Sequence, residues 1–206
     1  MHTAELDCFN TMAINSKLPC SYHAPALFDF DSLYNISDSA IKGIVILGSN
    51  SSVYERLPWQ ITLEKWLKPK LDNAIPTLGI CYGHQMLAYM FGGEIDYIDK
   101  EQTKEKGFRT IQIEQSGPFP KSTSTLVVTH NETIIKVPDS FEIFAFSEKI
   151  ATEGIKHRTL PIWSFQAHPE ATADFALSRG MAFDKTSNPF WDGHLIISKF
   201  LEFAAS

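Results

Sequence analysis

Cys81 lies in the run IPTLGICYGHQMLAYMFGG, residues 75–93, and its surroundings could make its sulfur a nucleophile. Ile75 to Ile80 read as a buried strand, after which Met86, Leu87, Met90 and Phe91 recur at helical spacing. The cysteine sits on the turn between them, with Gly79 and Gly83 two residues to either side. A sharp strand-to-helix turn is cramped and strained, and it needs residues without a Cβ around the nucleophile. It also places the sulfur at a helix N-terminus, where the macrodipole and free N–H groups favour the reactive thiolate. The alternative is a small buried hydrophobe, the commoner fate of a free cysteine. The glycines, and the polar pair His84 and Gln85 on the first helical turn, favour the reactive reading, because a plain core helix has no use for that pair.

A nucleophilic thiol needs a base, and the segment WSFQAHPE, residues 163–170, offers one. His168 and Glu170 are two apart, so in an extended segment they share a side. A carboxylate there holds the imidazole in one tautomer and stabilises its charged form, which activates a nucleophile brought to it. Pro169 fixes the turn between them. Cys81 and His168 are far apart in sequence, so only tertiary structure can join them. The alternative for His168-Pro169-Glu170 is a surface loop with a capping glutamate before a helix at Ala171–Ser178.

The remaining elements must position these two segments. Residues 43–48 (GIVILG) read as a buried strand that ends in the loop Ser49–Ser52. Residues 4–14 place Leu6, Phe9 and Ala13 on one helical face. Residues 59–71 place Trp59, Leu63, Trp66, Leu67 and Leu71 on another, with a kink or an end at Pro69. Phe108–Glu114, Thr125–Thr129, Glu142–Phe146 and Pro161–Phe165 read as strands, and residues 99–107 as a charged, solvated loop or hairpin tip. Trp191, Leu195, Phe200 and Leu201 define the apolar face of a closing helix. Helices interleaved with buried strands predict an α/β fold with a mostly parallel sheet covered by helices.

Composition narrows the classes of function. The 206 residues fit one domain, with 44% hydrophobic and 20% charged residues, as in globular proteins. A net charge of −6 argues against nucleic acid as a general partner. Cys8, Cys20 and Cys81 are too few and scattered for a disulfide framework, which fits a reducing, cytoplasmic setting. No apolar run is long enough for a signal peptide or a membrane span. There is no HExxH motif, no paired Cys/His spacing and no GxxxxGK loop, so neither a metal nor a nucleotide cofactor is expected.

The two motifs together, Gly79-Ile80-Cys81-Tyr82-Gly83-His84-Gln85 and His168-Pro169-Glu170, resemble the class I glutamine amidotransferases, from about Phe28 to the C-terminus. Leu57-Pro58-Trp59, Tyr82 and Ser52-Val53-Tyr54-Glu55 resemble the glutaminase domain of GMP synthetases within that family. The resemblance implies a flavodoxin-like, three-layer fold and hydrolysis of glutamine to glutamate and ammonia. It makes Cys81 the nucleophile, His168 its base and then the acid for departing ammonia, and Glu170 the residue that orients His168. It makes the Tyr82 N–H one half of an oxyanion hole and the loop Gly48-Ser49 the other half. It places Gln85 on the substrate and Thr129 and His130 at the amino-acid end of glutamine. For His130 a solvated loop histidine is the alternative. The ammonia would go to a separate synthetase subunit or be released.

Two departures stand out. The family carries two glycines and a proline in the oxyanion loop, and here the run is Gly48-Ser49-Asn50. A γ-glutamyl peptide or amine hydrolase of the same fold is therefore a second reading, and a non-catalytic binding or regulatory module a third. The family also opens with an apolar strand that Met1–Asp7 does not supply. The sheet is then expected to lack an interior strand, unless a further N-terminal stretch or another segment fills the slot.

Overall fold

The computed structural model describes residues 4–184 and 186–206. Nine strands and six helices follow in chain order: α1 (Ala4–Ile14), α2 (Asp31–Tyr34), β1 (Ile44–Ile46), α3 (Pro58–Asp72), β2 (Thr77–Ile80), α4 (Tyr82–Met90), β3 (Glu94–Tyr97), β4 (Glu105–Ile113), β5 (Ser122–His130), β6 (Glu132–Lys136), β7 (Phe141–Phe146), β8 (Gly154–His157), β9 (Ile162–Phe165), α5 (Ala173–Ser178) and α6 (Trp191–Ala204).

The main sheet runs β1-β2-β9-β8-β7-β4-β5, and β3 and β6 form a separate antiparallel pair. The α/β architecture is the expected one, but the parallel part is confined to β1, β2 and β9. The pairings from β9 through β8, β7 and β4 to β5 are antiparallel. Every residue of β2 and β9 is buried, as for strands covered on both faces. Leu78, Ile80 and Phe165 face Met12 of α1 and Ile196, Ile197 and Phe200 of α6. Ile46, Ile155 and Ile162 face Leu67 and Leu71 of α3 and Met86 and Leu87 of α4. The helices thus form the two outer layers.

Among the described residues β1 pairs only with β2, so it is an edge of the sheet. The expected missing interior strand is not a gap inside the sheet, which is continuous across seven strands. Met1–Thr3 lie outside the described residues.

Four local readings change. The α3 helix runs through Pro69 to Asp72, because the proline falls in the last turn, where one lost N–H donor ends little ladder. Residues 105–107 belong to β4 rather than to a loop, since Glu105 pairs in register with His130 and is held by Arg109 and Lys149. On α6 the buried stripe is Gly193, Ile196, Ile197 and Phe200, while Trp191 is 62% exposed. On α1 the buried residues are Cys8 and Met12, and Leu6 is exposed. No helix among the described residues is long and apolar enough to cross a membrane.

Candidate active site

Cys81 is the N-cap of α4 and follows β2 directly, with φ 52° and ψ −99°. A non-glycine residue at positive φ costs roughly 1–3 kcal/mol and persists only where packing imposes it. Here the packing is close approach of helix to sheet. A Cβ on Gly83 would lie 2.3 Å from the Ile46 carbonyl oxygen, and one on Gly79 would lie 2.6 Å from the Gly83 carbonyl oxygen. The two glycines let the first turn of α4 lie on β1 and β2, and the strain falls on the cysteine itself. The Tyr82 N–H opens the helix, where an amide has no intrahelical acceptor.

His168 and Glu170 follow β9. The His168 N–H donates to the Val127 carbonyl of β5 at 2.7 Å, which fixes the segment against the sheet. His168 and Glu170 are each 4% exposed, and Nδ1 of His168 lies 2.8 Å from Oε1 of Glu170. The surface-loop alternative does not describe this segment, and the cap of α5 is Thr172 rather than Glu170. With Nδ1 donating to the carboxylate, Nε2 is left for the substrate side, where it has no well-aligned hydrogen-bond partner. Burial alone pushes the His168 pKa down. The negative charges of Glu170 and of a Cys81 thiolate outweigh that and hold it well above the usual histidine value.

Gly48 packs between the two. A Cβ there would lie 2.9 Å from Cε1 of His168 and 3.7 Å from Cβ of Cys81. A larger residue would push the imidazole away from the sulfur. Ser49 follows, exposed, and its Oγ accepts the Ser51 N–H at 3.2 Å, so the loop is braced by its own side chain.

The remaining predicted residues fall into two groups. Gln85 is buried, and its Nε2 donates to the Glu132 carbonyl at 3.0 Å and to Oε1 of Gln166 at 3.3 Å. Thr129 and His130 end β5 beside these groups, and Oγ1 of Thr129 is buried without a partner. His130 is 4% exposed, so it is not a solvated loop residue. Its Nδ1–H donates to the Glu132 carbonyl at 2.9 Å and its Nε2 accepts from Arg109 at 3.3 Å. His84, by contrast, turns away from the sulfur. It is fully buried between Ser164 (2.8 Å) and the Thr152 carbonyl (3.0 Å), a strut between α4 and the strands. Its presence on the first turn reflects packing rather than chemistry. The residue missed in the sequence is Gln166, whose Nε2 lies 3.8 Å from the Cys81 sulfur. Alternation could have found it, since Gln166, His168 and Glu170 share one parity in WSFQAHPE.

Two of these histidines tie stability to pH. Burial lowers the pKa of His84 to about 3 and that of His130 to about 4. The unfolded chain binds their protons near pH 6.5 and the folded chain does not. Their contribution is therefore complete above about pH 6.5 and is lost as pH falls. By pH 5 each is expected to cost about 2 kcal/mol. Urea midpoints at pH 7.5 and pH 5 measure this, and His84→Gln should flatten the dependence by about half.

The sequence profile of Glutamine amidotransferase class-I matches residues 6–177, beginning earlier than the Phe28 boundary read from the motifs. The glutamine-hydrolyzing subunit of GMP synthase from Methanococcus maripaludis is 32% identical over 142 residues, covering 66% of this chain and 68% of that protein. The glutamine-hydrolyzing GMP synthase of Phocaeicola vulgatus is 30% identical over 138 residues, covering 65% of this chain and 25% of that protein. The chain thus matches only about a quarter of the length of that relative. Among solved structures, a glutamine amidotransferase from Methylobacillus flagellatus has the same fold, with a TM-score of 0.71 at 18% identity over 95% of this chain and 86% of that one. One from Thermotoga maritima gives 0.65 at 21% identity over 84% of this chain and 82% of that one.

Proposed function

The chain belongs to the class I glutamine amidotransferase family, and from that premise we propose that it hydrolyses the side-chain amide of glutamine through a Cys81 thioester. The observation that carries this reading is the strained turn at Cys81 set against a buried His168–Glu170 pair 2.8 Å apart. In the proposed reaction the Cys81 thiolate attacks the γ-carbonyl carbon. A C–S bond forms and the carbonyl oxygen becomes an oxyanion. The N–H of Tyr82 and an N–H of the Gly48-Ser49 loop receive that charge, each such donor being worth about 3–4 kcal/mol in the transition state. The C–N bond then breaks, and His168 gives its proton to departing ammonia. Water attacks the thioester while His168 takes a proton from it, the C–S bond breaks, and glutamate leaves. Glu170 keeps His168 oriented and charged between the two halves. Gln85, Thr129 and His130 hold the substrate.

The Methanococcus maripaludis relative is named as one subunit of its synthase. We carry that over: this chain passes its ammonia to a synthetase on a separate polypeptide. The loop Gly48-Ser49-Asn50, braced by Ser49, favours a second reading, hydrolysis of γ-glutamyl peptides or amines. Assays of glutamine beside γ-glutamyl dipeptides separate the two. The first reading expects kcat/KM for glutamine at least tenfold above the dipeptides. The reverse order selects the second, and turnover of neither contradicts both.

A further inference from the structure

We propose that Gln166 is a second residue acting directly on the nucleophile: its side-chain amide donates to the Cys81 sulfur, aiming it and stabilising its charged form. This rests on the proposed role of Cys81 and deepens it. Gln166 is fully buried, and its backbone N–H is held by the Glu153 carbonyl at 2.8 Å. Its Nε2 lies 3.8 Å from Sγ, a long contact suited to a diffuse sulfur acceptor.

The hydrogen-bond chain fixes which way the amide points. The Glu132 carbonyl can only accept, so the group of Gln85 that faces it at 3.0 Å must be Nε2. That same Nε2 reaches Gln166 at 3.3 Å, so Gln166 must present Oε1 to it. Nε2 of Gln166 then has one direction left, toward the sulfur. His130 donates to the same Glu132 carbonyl at 2.9 Å, and Arg109 donates to Nε2 of His130 at 3.3 Å, which fixes that histidine's tautomer too. A line of oriented donors thus runs from Arg109 through the end of β5 to the nucleophile. His168 approaches the sulfur as a proton carrier. Gln166 approaches it as a donor that never gives its proton up, so the sulfur keeps a fixed direction in every protonation state of His168.

The test is the rate at which iodoacetamide alkylates Cys81 across pH 5 to 10, read on the Cys81 peptide by mass spectrometry. That reading keeps exposed Cys20 separate, and burial pushes the Cys8 thiol up to about 12. In Gln166→Met, which keeps the volume and removes the donor, alkylation at pH 7 is expected to slow about tenfold, and the profile to move about one unit toward higher pH. In Gln85→Met, which only frees the amide to turn, the slowing is expected to be about threefold. With glutamine, kcat should fall by similar factors while KM stays within about twofold. Thermal unfolding establishes that each variant is folded. Profiles that superimpose on wild type in folded Gln166→Met or in folded Gln85→Met would overturn the proposal, as would a rise in KM at unchanged kcat. Alkylation needs no substrate, so a chain that fails to hydrolyse glutamine still answers this question.

Discussion

Replacing Cys81 with alanine is expected to lower kcat for glutamine hydrolysis by about 10⁶-fold, to background. The size follows from the reaction: without sulfur no thioester forms, and the donors at Tyr82 and the Gly48 loop have no covalent intermediate to stabilise. The fold should survive. Alanine has the same backbone preferences as cysteine, so the strain at φ 52° is unchanged. The sulfur is a small group in a large core, and its loss should cost about 1 kcal/mol of stability. Ammonia release and thermal midpoint together make the check. Equal release by wild type and Cys81→Ala would remove the thioester route.

Glu170→Gln is expected to reduce kcat by about 10²- to 10⁴-fold while KM changes little. The side chain is 4% exposed and sits 2.8 Å from Nδ1 of His168. A neutral amide there no longer offsets the burial that disfavours a charged imidazole, so the His168 pKa should drop. The change also leaves the tautomer open, since an amide can present either a donor or an acceptor to Nδ1. The pH–rate profile separates these effects from simple damage: its acid limb should move together with the loss in kcat. A variant with wild-type kcat would show that the carboxylate has no part in catalysis.

Much of this site is legible in the sequence. A strand, two glycines around a cysteine and a helix can satisfy one another in few ways, and the strained turn is the one found. His168 and Glu170 are legible because alternation in an extended segment puts them on one side. What stays hidden depends on partners remote in sequence. His84 has the look of site chemistry, and its role comes from Ser164 and Thr152. Gln166 is hidden because an amide shows its purpose only through the atoms around it, here Gln85 and the Cys81 sulfur. The antiparallel half of the sheet is harder still. Strand β8 is four residues, and its pairing is set by β7 and β9 on either side rather than by its own pattern. On α6 the large aromatic Trp191 masks the stripe Gly193, Ile196, Ile197 and Phe200, whose spacing of three, one and three is the one that packs. Pro69 ends nothing, because the cost of a proline depends on how much helix remains beyond it.

The central claim is that the Cys81 sulfur is a nucleophile in a pocket that accepts the glutamine side chain. A diazo-ketone analogue of glutamine carries an electrophilic carbon near the position of the γ-amide and loses dinitrogen when a nucleophile attacks it. Incubated with the folded protein and followed by peptide mass spectrometry, it should place one label per chain on Cys81, slowed by added glutamine. A folded protein that takes no label on Cys81, or takes it only on exposed Cys20, would contradict the account.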